Sequence, residues 1–133
     1  MRLNQQRIIV TGGGSGLGLA VVERCVEEGA SVLIVDRVEE RLNEAQTRLG
    51  DGVKGFTGDV CSMSSMQRAV EAAEEAFGGL DCVIGNAGIW DYSRRLDDTD
   101  PSQIEGAFDE LFKVNVLGYI TLAKASIPAL VRS

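Results

Sequence analysis

Thr11-Gly12-Gly13-Gly14-Ser15-Gly16-Leu17-Gly18 decides how the rest of this chain is read. Ahead of it stands the apolar run Ile8-Ile9-Val10, predicting a strand over Arg7 to Thr11. Behind it Leu17, Val21 and Cys25 recur at helical spacing with Ala20 beside them, predicting a helix over about 17–28 that Gly29 ends. Glycines between a strand and a helix permit positive φ and let the backbone approach a pyrophosphate, whose charge is met by the free N–H groups of the helix start. The stretch therefore predicts a phosphate-binding turn. A Walker-type loop would need Lys and then Ser or Thr after its last glycine, and Leu19 and Ala20 stand there instead.

Outward from this turn the chain keeps one rhythm, short apolar runs alternating with longer amphipathic ones. Ser31 to Asp36 carries four consecutive apolar residues, Val32 to Val35, as a strand covered on both faces requires. Leu42, Ala45 and Leu49 mark a second helix closed by Gly50 and Gly52, and Val53 to Thr57, diluted by Lys54 and Gly55, reads as an edge strand. Met63, Met66, Val70, Ala73 and Phe77 trace one face of a third helix that Gly78 and Gly79 stop, and Leu80 to Gly85 forms a fourth strand. Asp100, Pro101 and Gln103 have the spacing of N-cap, N1 and N3 of a further helix, and Pro128 is expected to kink or end the last helical segment. Right-handed crossovers then give a doubly wound parallel α/β sheet in the order 3-2-1-4, one nucleotide-binding domain over residues 1–133.

Composition limits the partners. With 44% hydrophobic and 25% charged residues the chain is an ordinary globular one. Twenty acidic against 13 basic residues give a formal net charge of -7 with no basic stripe, which disfavours nucleic acid. Cys25, Cys61 and Cys82, without any His, suit neither a disulfide framework nor a metal site and read as reduced cytoplasmic thiols. No export signal is read at the N-terminus, and no apolar run approaches the length of about 20 residues that a bilayer span takes, so no membrane partner is expected.

Asp36 closes the second strand 18 residues after Gly18, where a carboxylate can accept both hydroxyls of an adenosine ribose. It would repel a 2'-phosphate by several kcal/mol, to order of magnitude, which favours NAD over NADP. Ser15, where a basic residue would serve NADP, argues the same way; Arg37 beside Asp36 argues the other. Gly85-Asn86-Ala87-Gly88 ends the fourth strand with small residues next to the glycine turn, and the Asn86 amide can tie neighbouring strands together.

The spacing of Gly12, Gly16 and Gly18 after Thr11, with Asn86-Ala87-Gly88, resembles the short-chain dehydrogenase/reductase family, whose fold is the Rossmann fold. The resemblance implies a cofactor site of Gly12, Ser15, Gly16, Leu17, Gly18, Asp36, Arg37, Asn86, Ala87 and Gly88. It adds Asp59 on the adenine amine, Val60 beside the adenine ring, and Asn115 as a catalytic residue in a proton relay through water. The family's catalytic Ser and Tyr-x-x-x-Lys pair find no match: Tyr92 has Leu96 four residues on and Tyr119 has Ala123. In family members those motifs lie beyond a point equivalent to Ser133, so these 133 residues are expected to be inactive by themselves. A narrower resemblance, Gly-Asn-Ala-Gly-Ile-Trp-Asp-Tyr over 85–92, points to bacterial cis-dihydrodiol dehydrogenases, which turn aromatic cis-diols into catechols. Trp90 and Tyr92 would then border an apolar substrate pocket. The resemblance further implies a small-molecule substrate and a homo-oligomer, a tetramer. A nucleotide-binding module without turnover, or a short-chain reductase for another alcohol or ketone, is the alternative; a Rossmann methyltransferase would leave Thr11 and Asn86-Ala87-Gly88 without a role.

Overall fold

A computed structural model describes residues 1–133. Four parallel strands, β1 (Arg7–Thr11), β2 (Ser31–Asp36), β3 (Val53–Thr57) and β4 (Cys82–Ile84), form one sheet in the order β3-β2-β1-β4. Ile9 lies opposite Leu33 on one side and Val83 on the other, so the central pair carries the register. Helices α1 (Gly16–Glu27), α2 (Glu39–Leu49) and α3 (Met63–Phe77) make the crossovers, and α4 (Ile104–Phe112) runs through a π-helical turn at Lys113–Leu117 into α5 (Gly118–Arg132).

The pleat sorts the core into two halves. Ile8, Val10, Val32 and Ile34 point to the α1–α2 side with Val22, Cys25 and Leu42. Ile9, Leu33 and Val35 point to the other side, against Met66, Ala69, Val70 and Leu122 of α3 and α5. Because β1 and β2 are buried on both faces, their letters are apolar without alternation. Each such side chain withdrawn from water contributes about 1.5–3 kcal/mol before the entropy of ordering is counted. Gly78, in the left-handed region, caps α3, and the Ser62 hydroxyl accepts the Ser65 N–H at its start.

At their amino ends β1 and β4 are stapled. The Arg7 guanidinium donates twice to Asp81, Nε to Oδ2 at 2.7 Å and Nη2 to Oδ1 at 2.8 Å, and Nη1 reaches the Gly78 carbonyl at 3.0 Å. That staple explains one departure from the sequence reading: β4 is three residues, not Leu80 to Gly85. The Asp81 carboxylate takes the Arg7 N–H at 2.9 Å and the Thr11 hydroxyl takes the Asn86 N–H at 3.1 Å, leaving only Cys82 to Ile84 for the ladder.

Three further expectations are corrected. Asp100 does accept the Ser102 N–H and Pro101 follows it, but the first turn is 3₁₀ and Gln103 makes no capping bond. Helix α5 does not end at Pro128, since Pro128 and Lys124, whose carbonyl loses its helical partner, are both exposed to water. The helical run Pro101–Arg132 is 32 residues long and, by length and composition, apolar enough to cross a membrane, contrary to the absence of any such stretch read from the letters. Lys113 and Asn115 interrupt those letters, and the π turn joins what they divide. One stripe of α5, with Thr121, Leu122, Ser126 and Ala129, is buried against the protein core, while Ile120, Ile127 and Val131 are exposed.

Candidate nucleotide-binding cleft

The carboxyl ends of β1, β2 and β4 open into a cleft of about 580 Å³, the position at which open parallel sheets take ligands. Its floor is the glycine turn. Gly12 has φ +65, and a side chain on it would come within 2.8 Å of the Ala87 backbone. A Cβ on Gly18 would fall on the Gly12 carbonyl oxygen. These two glycines let the turn fold back on itself and bring β4's end against β1's. Ser15 is the N-cap of α1 with extended backbone and an uncommitted hydroxyl, so the N–H groups of the first helical turn face the cleft without intrahelical partners. Leu17, in that turn, is 74% exposed and lines the cleft, an apolar side chain left open where a ligand would cover it.

Asp36 is 7% exposed and lies at the cleft's far end. Its Oδ2 accepts the Gly14 N–H at 3.1 Å and its Oδ1 the Val38 N–H at 3.0 Å, so one carboxylate joins the glycine turn to the end of β2. Each oxygen keeps a lone pair for a further donor. It is not the cap of α2, whose N-cap is Val38 without a side-chain bond. Arg37 and Arg41 line the same end, with Arg41 Nη1 3.8 Å from Asp36 Oδ1.

Asp59 and Val60 form the adjoining wall. The Asp59 N–H donates to the Ser65 hydroxyl at 3.0 Å, and its carboxylate accepts the Cys61 N–H at 2.9 Å. Val60 is buried and locked from below: the Thr121 hydroxyl donates to its carbonyl at 2.5 Å, and Gly118 admits its side chain. Burial pushes the thiols of Cys25, Cys61 and Cys82 up from their usual range, for Cys61 with help from the nearby Asp59 charge, so none is disposed to act as a nucleophile.

At the near end Asn86, Ala87, Gly88 and Ile89 complete the lining with Val114. The Asn86 amide donates to the Gly12 carbonyl at 3.2 Å, the strand tie expected of it. Thr11 does what its letter alone did not show. Its hydroxyl oxygen accepts both the Asn86 and Ala87 N–H groups, at 3.1 and 3.2 Å, across 75 and 76 residues of sequence. Asn115 does not line the cleft. Its Oδ1 accepts the Ile89 N–H at 2.8 Å and its Nδ2 donates to the Ile89 carbonyl at 2.7 Å, a reciprocal pair that fixes the loop after β4 to the π turn. Both ends of the Asn115 amide are thus engaged by the Ile89 backbone. Trp90 and Tyr92 also lie outside the lining; they are 60% and 81% exposed, with ring centroids 5.3 Å apart, and Tyr92 and Ser93 both have positive φ.

A glycine turn opening a helix, a buried carboxylate at the end of β2 and a small-residue strand end on a 3-2-1-4 sheet make a Rossmann-type fold with a cleft at its switch point. The chain belongs to the short chain dehydrogenase family, whose model matches residues 6–133. It is 50% identical over all 133 residues to a cis-2,3-dihydrobiphenyl-2,3-diol dehydrogenase of Pseudomonas sp. (strain KKS102) and 49% identical to the cis-toluene dihydrodiol dehydrogenase of Pseudomonas putida F1. A 3-phenylpropionate-dihydrodiol/cinnamic acid-dihydrodiol dehydrogenase of Escherichia coli is 46% identical over 131 residues. The chain spans about half the length of these relatives, 48% in each case. The crystal structure of a 3-ketoacyl-(acyl-carrier-protein) reductase from Brucella melitensis complexed with NADH superposes with a TM-score of 0.86 at 31% identity, over 96% of this chain and 51% of that one.

Proposed function

We propose that this chain supplies the NAD(H) site of a dehydrogenase that oxidises aromatic cis-dihydrodiols to catechols. The observation that carries the reading is the cleft itself, closed at its adenosine end by the buried Asp36 and floored by the glycine turn. The relatives named for cis-dihydrodiols support the substrate class. The free N–H groups at the start of α1 bind a pyrophosphate, the spare lone pairs of Asp36 accept the ribose hydroxyls, and Val60 backs the adenine with Asp59 at its edge. Ala87 and Gly88 leave room for the second ribose, and Asn115 holds that wall still through Ile89. The nicotinamide, when bound, accepts hydride from the carbon bearing the alcohol.

The titratable groups in the cleft are Asp36, Arg37, Arg41 and Asp59, all at the adenosine end. The diol's proton therefore goes to a base that the whole protein provides from other residues, and the 133 residues position cofactor without completing catalysis. The second reading, a nucleotide-binding module without turnover, rests on the same cleft. The whole protein is proposed to be a cytoplasmic homo-oligomer, a tetramer, with neither membrane nor nucleic acid as partner. Exposed Phe108, Phe112, Ile120 and Ile127 support self-association, and the packed stripe of α5 argues against insertion in a bilayer.

The experiment supplies full-length protein with NAD and, in separate arms, cis-dihydrodiols of biphenyl and toluene, simple secondary alcohols, and a steroid. The expected result is catechol and NADH in equal amounts from the diols at the highest kcat/KM. A steroid or simple secondary alcohol preferred over every diol contradicts the substrate class, and NADH binding without turnover of any arm establishes the second reading.

A further inference from the structure

Two buried hydroxyls on α5 direct their protons differently. A hydroxyl in the middle of a helix ordinarily donates back to a carbonyl of its own preceding turn. Ser126 does so, to the Leu122 carbonyl at 2.7 Å. Thr121, also buried, has the Gly118 carbonyl in reach at 3.0 Å, yet its shorter contact, 2.5 Å, is to the carbonyl of Val60, 61 residues away. The hydroxyl has a single proton to give, and Val60 holds the nearer acceptor. The Val60 carbonyl accepts no backbone N–H, so the Thr121 hydroxyl is its one donor. Gly118, three residues earlier, lets the helix come so close: a Cβ there would fall 2.8 Å from Val60 Cγ2. Val60 lines the cleft, whereas Thr121 and Gly118 stay behind it. The other end of the same helical run is tied as well, by Asn115 to Ile89, so one run grips the loops that follow the two outermost strands, β3 and β4.

We propose that Thr121 is a positioning residue for the adenine half of the cofactor, acting from behind the cleft through the Val60 carbonyl. The inference rests on the dinucleotide reading given above and adds to it a residue that touches no ligand. Without the hydroxyl the buried carbonyl has no donor, and the loop relieves that only by turning, which carries the Val60 side chain away from the face it offers the adenine. Asp59 turns with it, because its carboxylate holds the Cys61 N–H on the far side of Val60. The nicotinamide end has its own supports, Thr11 on Asn86 and Ala87 and Asn115 on Ile89, and none of them passes through Val60. Loss of the Thr121 hydroxyl is therefore one-sided: it loosens the adenine wall and leaves the nicotinamide wall in place.

The test uses full-length protein and three probes: NADH, followed by its fluorescence, and AMP and reduced nicotinamide mononucleotide, each followed by displacement of NADH. The variants are Thr121→Val, which keeps the shape and removes the donor, Thr121→Ser, which keeps the donor, and Gly118→Ala, which pushes Val60 from beneath. Thr121→Val is expected to weaken NADH and AMP alike by about tenfold and to leave the mononucleotide unchanged, and Thr121→Ser to bind all three as the wild type does. AMP affinity unmoved by Thr121→Val, a mononucleotide weakened as much as AMP, or a Thr121→Ser variant as weak as Thr121→Val overturns the proposal. Should Thr121→Val fail to fold, Gly118→Ala decides in its place, with the same selective loss of AMP expected and an unmoved or unselective result overturning the proposal. A wild type that does not bind NADH, or from which AMP does not displace it, overturns the dinucleotide reading and this inference with it. A wild type that binds both, beside a Thr121→Val variant that binds them equally well, overturns this inference only.

Discussion

The two ends of the same sheet are built on opposite plans. At the amino ends of β1 and β4 a guanidinium and a carboxylate are locked together and to the Gly78 carbonyl, and nothing is left for a ligand. At the carboxyl ends the chain spends hydroxyls, amides and glycines to bring strands together without filling the space above them, as Thr11 and Asn86 do. One end holds the fold and the other keeps a cleft. Substitutions at the first should move stability and leave binding alone, and at the second the reverse.

The core between the ends sets the upper limit. Leu33 is 2% exposed in the middle of β2, and Leu33→Ala in the full-length protein should cost about 2–5 kcal/mol in denaturant unfolding. Ile127→Ala, on the face of α5 proposed to self-associate, should cost more than the roughly 0.5 kcal/mol of a surface position, and less than Leu33→Ala. A cost no larger than that of a surface position would show the face to meet water in the whole protein. Next in size, Gly18→Val should weaken NADH by about 100-fold, because its side chain displaces the Gly12 carbonyl from the floor of the cleft. Unchanged affinity there would place the cofactor elsewhere.

Asn115→Ala releases both bonds to Ile89, and about a tenfold fall in kcat with a smaller change in KM is expected for a residue that positions the wall near the reacting end. The pH profile of kcat should keep its shape, which a role in proton transfer would not allow. The smallest effect belongs to the stapled end. Its hydrogen bonds from Arg7 hold the Asp81 carboxyl below the usual carboxylate range. The stability this gives is present above the unfolded pKa of about 3.9 and is lost as pH falls through the lower folded value. Asp81→Asn should therefore lower the melting temperature at neutral pH, with a gap that closes below about pH 4, and leave NADH affinity unchanged.

Most of this architecture was legible in the letters where burial imposes a period. β1, β2 and β3 occupy their expected residues, and the sheet order follows from the crossovers. Local features were legible too, such as Gly78 ending α3 and Asp100 capping the turn after it. What escaped depends on contacts far apart in sequence. The Thr11 hydroxyl, the Thr121 bond to Val60 and the π turn with its Asn115–Ile89 pair each join segments 26 or more residues apart, and no local pattern announces them. The short β4 has the same origin, since the Thr11 hydroxyl takes the Asn86 N–H that would have extended the ladder. Trp90 and Tyr92, which the narrower resemblance sets at the border of a substrate pocket, lie outside the nucleotide cleft and stay exposed.

The contrast between the two ends can be tested without any substitution, by amide hydrogen exchange of the full-length protein with and without NADH. The account predicts slower exchange in peptides covering Gly12 to Gly18, Asp36 to Val38, Asp59 to Val60 and Asn86 to Ile89, and none across Gly78 to Asp81. Protection centred on the Arg7–Asp81 end, or no protection at the glycine turn under saturating NADH, would contradict it.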